Sequence, residues 1–580
     1  MEELLQLPRH SVIPMVLRRM RPPLITLIVA YSISVLGFVL IPGETASGEP
    51  HRMDFLHAFY FASYTATTIG FGEIPNAFTE AQRLWATFSL YVLVIAWFTA
   101  IGSIIGLIRD PVFQRVVTWN RFRRQVRKLA EPFHLVCGYG DTGAQLVQEV
   151  TALGARAVVI DQVEGHTYEL GMEDLRSYVP AFCGDASLAD NLLAAGLTHP
   201  RCASVLAVTD DDHANLQIAI TAKLLNPRLP VIARAGSGEV QANMASFGTD
   251  HIVNAFDTFA GGFVMAIQSP YVHRLYEWMS PRPEIPLTSD RLPPPGRWII
   301  CAPGRLGKML HRRLREMGTD MVLVAEELPP WMSADQPQVE GKGTEAETLR
   351  RAGIDLEETV GVIAGTDDDV DNLSIIITAR QLRPELFMVA RQSDRSNRYI
   401  FEAADLDMIM EPSGIIALRM MRQLTTPMLP QFLRGIRDYD DDYVGELLAN
   451  WQARMGRDTP RVRALTLGWR DAPAVADALL TGHSVTVGDL LLDPANRRES
   501  LAAEVLMIER EGEQMFLPPP DTPLAPGDTL LLCSSAGALR PIAWTVNNMD
   551  AFRYVMTGEQ RPDGWLWRWL ARRRETAGSG

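Results

Sequence analysis

Six residues, Thr67-Thr68-Ile69-Gly70-Phe71-Gly72, carry the sharpest chemical signal in the chain. Glycines at alternate positions admit backbone angles closed to other residues, so successive carbonyls can point the same way. A ring of such carbonyls can replace the water around a dehydrated K⁺ ion. Thr68 would add a ring of hydroxyls at the inner end. A second signal is Gly138-Tyr139-Gly140-Asp141-Thr142-Gly143. It follows the apolar run 133–137 and opens a helical pattern with apolar residues at 146, 147, 150 and 153. Asp161 lies 18 residues past the last glycine, after the apolar run 157–160. In this context the glycines let a phosphate approach the backbone at a helix N-terminus, and the acid can accept from an adenosine ribose. The alternatives are a glycine-rich hairpin for the first motif and a purely structural turn for the second. Context favours the ligand reading of both.

The first motif needs a membrane frame. Two uncharged apolar runs, Leu24–Ile41 and Leu84–Ile108, contain 18 and 25 residues. At about 1.5 Å per residue they reach roughly 27 and 37 Å, the scale of a bilayer core. Pro42-Gly43 follows the first run where a signal peptide would have a small-residue cleavage site, so the run reads as a retained anchor. Arg9, Arg18, Arg19 and Arg21 precede it. Arg109, Arg115, Arg121, Arg123, Arg124, Arg127 and Lys128 follow the second run. Only Arg52 and Arg83 lie between, so the positive-inside rule places both termini in the cytoplasm and the 42–83 loop outside. Residues 55–67 are apolar but too short to span, which suits a re-entrant helix. Two helices cannot enclose a pathway, so several copies are required. Gly102 and Gly106 read as a gating hinge or as a close-packing surface.

Placed between these runs, TTIGFG resembles the signature of the potassium-channel pore family, with Ile69 for Val and Phe71 for Tyr. Glu73 stands where that family commonly has Asp. Phe71 lacks the hydroxyl that often ties the filter to the pore helix. The resemblance implies a homotetramer with K⁺ as the permeant ion.

The remainder contains an internal repeat. Residues 204–234 align without gaps on 361–391, with more than half of the positions identical and with Thr-Asp-Asp-Asp and Asn shared. Gly184-Asp185-Ala-Ser pairs upstream with Gly341-Lys342-Gly-Thr. Two copies of one doubly wound α/β unit are therefore expected. The second glycine turn is degraded to Ala302-Pro303-Gly304-Arg305-Leu306-Gly307. Ala325 stands for Asp161 and Lys342 for Asp185. A weaker, altered or absent nucleotide site is expected there, with Arg305 solvated or, as the alternative, serving an anionic ligand.

The first unit resembles the RCK (Trk N-terminal) domain, and Pro526-Gly527-Asp528 with the leucines after it resembles the end of the RCK C-terminal lobe. The family implies a ring of eight units under a tetrameric pore, with Asp141, Thr142, Asp185 and Thr209 beside the nucleotide. The expected fold is a membrane all-α two-helix pore domain with a re-entrant pore helix, then α/β Rossmann-like doubly wound RCK domains and a small α+β C-terminal lobe. The boundaries are 1–23 N-terminus, 24–108 pore, 109–131 linker, 132–255 first Rossmann lobe and 256–295 crossover helices and linker. Then come 296–412 second Rossmann lobe, 413–459 crossover helices, 460–545 C-terminal lobe and 546–580 tail.

Composition limits the remaining classes. The 580 residues exceed one core, and 47% apolar with 21% charged suits a folded chain. A net charge of −14 argues against nucleic acid as a partner. Five cysteines without a CxxC pair argue against a disulfide scaffold and a Cys-type zinc site. Acid clusters at 210–212 and 367–369 suit helix caps first and Ca²⁺ second, and the cluster at 438–442 lacks EF-hand spacing. The Trp- and Arg-rich segment 564–574 suits a bilayer surface or a protein contact. No nucleophile–base constellation is present, so no enzyme is expected. The reading is a ligand-gated potassium channel of a prokaryotic inner membrane, regulated by NAD or another adenine nucleotide. The competing readings are a membrane-anchored NAD-dependent oxidoreductase, a non-conducting transport regulator and a poorly selective cation channel.

Overall fold

The computed structural model describes residues 12–45, 49–73, 76–280, 291–333 and 335–558. Two compact units emerge. One holds the chain up to Ala130 with Pro180–Asp185 and Asp190–His199; the other holds Glu131–Val179, Ala186–Ala189 and the chain from Pro200. The Trp/Arg segment 564–574 lies outside the described residues.

In the first unit, helix α1 (Val12–Leu40) begins well before the apolar run, carrying Arg18, Arg19 and Arg21 into its first half. Pro22 and Pro23 lie inside it, and the Thr26 hydroxyl donates to the Pro22 carbonyl at 3.0 Å. Helix α2 (Phe55–Ala66) has 12 residues, about 18 Å, too short to cross a bilayer core. The Asp54 carboxylate caps it by accepting from the His57 amide at 2.8 Å. Helix α3 (Glu80–Arg109) has 30 residues, about 45 Å, and starts at a Thr79/Gln82 capping box. Phe38, Phe61 and Phe78 form the aromatic centre of this unit, with ring centroids 4.6 to 5.8 Å apart. Gly37 lets α1 meet α3 closely: a Cβ there would stand 2.0 Å from the Trp85 indole. Leu84, Tyr91, Ile95 and Phe98 on α3 remain 61 to 76% exposed. An apolar face of that extent requires lipid or further protein around it.

The expected linker is largely helical. Pro111 ends α3, because the residue before proline avoids helical angles. Asp110 then caps α4 (Pro111–Arg127), accepting from the Val112 amide at 2.9 Å and the Phe113 amide at 3.2 Å. Asp110 also pairs with Arg19 of α1. Phe122 of α4 is buried and stacks on Phe182 at 5.5 Å.

In the second unit, the short apolar runs become buried parallel strands. Strands β1 (Phe133–Cys137), β2 (Arg156–Asp161), β3 (Cys202–Ala207), β4 (Val231–Arg234) and β5 (His251–Val253) lie in the order β2-β1-β3-β4-β5. Helix α5 (Asp141–Ala152) follows β1, and α6 (Asp212–Leu225) follows β3. Helices α7 (Ala255–Gln268) and α8 (Pro270–Trp278) close the first copy. The second copy has β6 (Arg297–Cys301), β7 (Met321–Ala325), β8 (Gln338–Glu340), β9 (Thr359–Ala364), β10 (Phe387–Arg391) and β11 (Met408–Met410). Their order is β8-β7-β6-β9-β10-β11, the doubly wound arrangement. Its helices include α9 (Arg305–Glu316), α10 (Asp369–Leu382), α11 (Pro412–Thr425), α12 (Met428–Gly435) and α13 (Asp441–Met455).

Each copy covers the other. Helix α7 of the first copy packs on α9 of the second, and α11 of the second packs on α5 of the first. The buried Phe263 of α7 meets Trp298 of the second copy edge-on at 4.9 Å.

The C-terminal lobe is an antiparallel sheet of β12 (Arg461–Thr466), β13 (Ala503–Arg510), β14 (Glu513–Phe516) and β15 (Thr529–Ser534), ordered β12-β15-β13-β14. The Pro-Gly-Asp turn has a physical reason: Gly527 takes φ +89°, and the buried Asp528 accepts from Arg510 Nε (2.8 Å) and Nη2 (2.7 Å). Helices at Pro473–Leu480, Leu539–Asn547 and Met549–Thr557 complete the lobe. Phe552 of the last helix is buried in its core, so the lobe continues past the expected boundary at 545.

Candidate functional site

Two places gather the residues singled out by the sequence. The first follows α2. Thr68, Gly70 and Gly72 take φ of +62°, +68° and +87°, while Ile69 and Phe71 between them do not. This alternation of hands turns successive carbonyls toward one side. Thr68 is a non-glycine residue in the left-handed region, a strain of about 1–3 kcal/mol that surrounding contacts must hold. The contacts are visible. The Thr68 amide donates to the Thr65 carbonyl (3.1 Å) and the Ile69 amide to the Tyr64 carbonyl (2.9 Å). The Thr67 hydroxyl donates to the Ser63 carbonyl (2.9 Å), so it faces α2.

The missing Phe71 hydroxyl is offset from the other side. Tyr64 of α2 donates its own hydroxyl to the Gly72 carbonyl at 2.6 Å and packs edge-on against Phe71 at 5.4 Å. Tyr60 stacks on Phe71 at 6.3 Å. Below the motif, α2 ends at Thr67, where the partial negative charge of a helix C-terminus favours a cation. Above it, Glu73 accepts from Arg83 Nε (2.9 Å) and the Phe78 amide (2.9 Å). The Arg83 guanidinium, then the Phe78 amide, holds the Glu73 carboxyl below its ordinary range. Residues 68–72 are exposed in the single chain. Gly102 and Gly106 have open space around their Cβ positions, so neither is a packing glycine within the chain. Gly37 has that role.

The second place is the turn between β1 and α5. Gly138 takes φ +106°, and a Cβ there would stand 2.9 Å from the Thr209 amide nitrogen. A Cβ on Gly143 would stand 2.0 Å from the Gly138 carbonyl oxygen, so the third glycine admits the helix to the turn. Gly140 faces open space and has no side chain to cap α5. The first amides of α5, from Asp141 to Gly143, are thus presented to whatever anion arrives there. Asp161 is buried at the end of β2 and accepts from the Tyr139 amide (2.5 Å), the Val163 amide (2.7 Å) and His166 Nδ1 (2.9 Å). A carboxylate has about four acceptor positions. One is left open, and His166, which sequence spacing did not mark, occupies another. Thr142 is buried in the first turn.

Thr209 adjoins the turn, but its amide and hydroxyl are bound to Asn215 Oδ1 at 2.9 and 2.8 Å. Thr366 and Asn372 repeat this clamp at 2.8 and 2.9 Å in the second copy. Asp185 belongs to the other compact unit, where its carbonyl accepts from Asn191 Nδ2 at 2.8 Å. Asp141 faces Arg395 of the second copy; burial raises its carboxyl pKa and Arg395 opposes that rise.

The degraded turn has a different use. Gly307 keeps its packing role, since a Cβ there would stand 1.6 Å from the Ala302 carbonyl oxygen. Trp331 donates its indole N–H to the Pro303 carbonyl at 3.2 Å. Lys342 pairs with Glu326 at 2.9 Å, and Glu327, Glu340 and Glu345 line the same shallow depression. Those carboxylates repel phosphate. Arg305 is exposed, as expected. Its guanidinium also lies 4.9 Å from the Phe256 ring of the first copy, which Arg391 approaches at 5.3 Å.

The acid clusters are consumed by the backbone. Asp211 and Asp368 cap α6 and α10. Asp212 accepts from the Gly236 amide, and Asp369 from the Ser393 amide. Asp210 pairs with Arg234, and Asp367 with Arg391. Asp440 caps α13, and Asp441 caps α8 through the Tyr271 and Val272 amides. Among the described residues no group of three or more His, Cys, Asp or Glu side chains is placed to hold a metal ion.

Comparison with known proteins gives independent matches. Residues 24–108 match an ion channel family, and residues 134–255 and 298–412 each match the TrkA-N domain. Potassium channel protein 1 of Methanocaldococcus jannaschii is 26% identical over 216 residues, 37% of this chain and 62% of that protein. Voltage-gated potassium channel Kch of Escherichia coli is 24% identical over 175 residues, 30% of this chain and 40% of that one. The chain thus spans less than two thirds of the length of these relatives. Among solved structures, the GsuK channel aligns over 95% of this chain and 100% of its own, at 16% identity and a TM-score of 0.46. The GsuK channel bound to NAD aligns over 93% and 100%, at 16% identity and a TM-score of 0.43. The chain thus carries an ion channel domain over residues 24–108 and two TrkA-N domains in tandem over residues 134–255 and 298–412.

Proposed function

We propose that four copies of this chain form a potassium-selective pore in a cell membrane, gated by an adenine nucleotide with NAD as the first candidate. The single observation behind the pore is the alternating backbone hand at Thr68, Gly70 and Gly72. With it, the carbonyls from Thr67 to Gly72 of four copies form successive collars around a dehydrated K⁺, and the C-terminus of α2 lowers the cost of bringing the cation to the inner collar. A smaller ion is held less well by collars whose walls are fixed by Tyr64 and the aromatic packing of Phe71.

The nucleotide reading rests on Gly138, Gly140 and Gly143, whose three local geometries suit a tight turn, an open approach and helix packing. Phosphate would lie on the α5 amides and the ribose on Asp161, with Tyr139, Asp141, Thr142 and Thr209 shaping the pocket. Ligand shifts gating only by its difference in affinity between open and closed assemblies. The covalent path from ring to pore is α4, and Gly102 and Gly106 are the positions on α3 where bending costs least. The substitution pattern of the second turn supports one nucleotide per chain at this motif.

Flux of K⁺ against Na⁺ through purified protein in liposomes, with and without NAD, ADP and ATP, tests the reading. K⁺ flux should exceed Na⁺ flux and respond to a nucleotide. Asp161→Ala should weaken that nucleotide at least tenfold, the scale of one charged hydrogen bond lost. Equal K⁺ and Na⁺ flux would overturn the pore assignment.

A further inference from the structure

A cavity of about 410 Å³ lies away from the glycine turn, bordered by β5, α7 and α8 of the first copy and by α11 and α12 of the second. Its walls hold five arginines, Arg313, Arg419, Arg422, Arg434 and Arg437, against three carboxylates. Each of those carboxylates has a partner. Asp250 pairs with Lys223 at 2.5 Å, and Asp257 with both Arg312 and Arg313 at 2.9 Å. Lys223 and Arg312 come from outside the lining, so the positive surplus grows. Arg437 has no hydrogen-bonded or ionic partner among the described residues. His273 is 97% buried in the wall, and its Nδ1 has no hydrogen-bond partner; the Glu277 carboxylate is 3.7 Å away.

Like-charged guanidinium groups that converge on one cavity repel each other, and an anion held between them offsets that repulsion. The guanidinium fork matches phosphate oxygens in pairs. A cavity of this volume falls in the range of small-ligand sites. We infer that this cavity is a second ligand site, separate from the glycine turn, for a soluble phosphate-bearing small molecule with two or more negative charges.

Burial pushes the His273 pKa down to about 4, so the ring meets such a ligand neutral and offers a hydrogen bond rather than a charge. Because both copies contribute walls, occupancy draws α7–α8 and α11–α12 onto one anion. The site therefore links the two copies whether or not the glycine turn holds a nucleotide.

Inorganic pyrophosphate is the probe, titrated calorimetrically into the full chain in detergent, with ADP in a parallel arm. Wild-type protein should bind pyrophosphate. The exposed Arg437→Gln should weaken binding at least threefold, and Arg419→Gln with Arg422→Gln at least tenfold. Gly140→Asp, which sets a carboxylate at the α5 amides, should leave pyrophosphate affinity within twofold while weakening ADP. Circular dichroism and gel filtration confirm folding, and Arg422→Lys, which keeps the charge, should retain most of the affinity. No pyrophosphate binding by folded wild-type protein would overturn the inference. So would wild-type affinity in both folded Arg437→Gln and the folded double variant, or loss of pyrophosphate with Gly140→Asp, which would place it on the glycine turn.

Discussion

Tyr64 illustrates how a side chain takes over a task that its neighbour has lost. Phe71 offers no hydroxyl, yet the last carbonyl of the motif, on Gly72, is held by the hydroxyl of Tyr64 at 2.6 Å. Tyr64→Phe should keep the aromatic packing and remove about 1 kcal/mol of restraint. In planar-bilayer recordings, the K⁺/Na⁺ permeability ratio should fall and openings should shorten. Unaltered selectivity and open times would show that packing alone holds the filter. The positive φ of Gly70 and Gly72 was legible from spacing, because that need is local. The Tyr64 contact was not, because it depends on the angle at which α2 meets the strand after it. Likewise, the Asp clusters read correctly as caps, since capping is a local property of a strand–helix junction. The Arg305 contact could not be read at all, because its partner Phe256 is 49 positions earlier, in another copy.

At the scale of elements, two glycines with similar sequence surroundings act differently. Gly37 of α1 is pressed against Trp85 of α3, whereas Gly102 of α3 faces open space. Gly37→Ala should strain the α1–α3 contact by about 1–3 kcal/mol. Thermal melting in detergent should show it as a lowered midpoint. Gly102→Ala should leave that midpoint unchanged or raised, since alanine favours an exposed helical position by about 1 kcal/mol. It should instead reduce open probability, because a stiffer α3 bends less. A lowered midpoint with Gly102→Ala and unchanged gating would reverse the two roles. Pattern alone left both uses open for Gly102 and Gly106, since packing and hinge glycines share a spacing. The linker shows the same limit. Its basic composition read as connection, while the Asp110-Pro111 junction in fact starts a new helix that buries Phe122.

At the scale of the molecule, the second compact unit holds two related folds that complete one another. Helix α7 covers α9, and α11 covers α5, so neither copy has a finished surface alone. Arg305 and Phe256 are part of that mutual cover. Arg305→Ala should remove a cation–π contact of about 0.5–1 kcal/mol. Nucleotide affinity at the first copy should stay within twofold, while the nucleotide's effect on K⁺ flux in liposomes should shrink. If flux regulation is unchanged, the contact is not part of the coupling.

By itself the sequence determined the two long apolar helices, the short helix between them, the alternating glycine motif, the duplicated α/β unit and the loss of the second glycine turn. Each of these follows from periodicity, from residue geometry that only glycine or proline permits, or from similarity along the chain, all of which are one-dimensional. Only the tertiary structure decided that Tyr64 holds Gly72, that Arg305 serves the other copy, and that five arginines from distant segments surround one cavity. Those features arise where elements cross, and the crossing is set by packing of buried surfaces that no local pattern encodes.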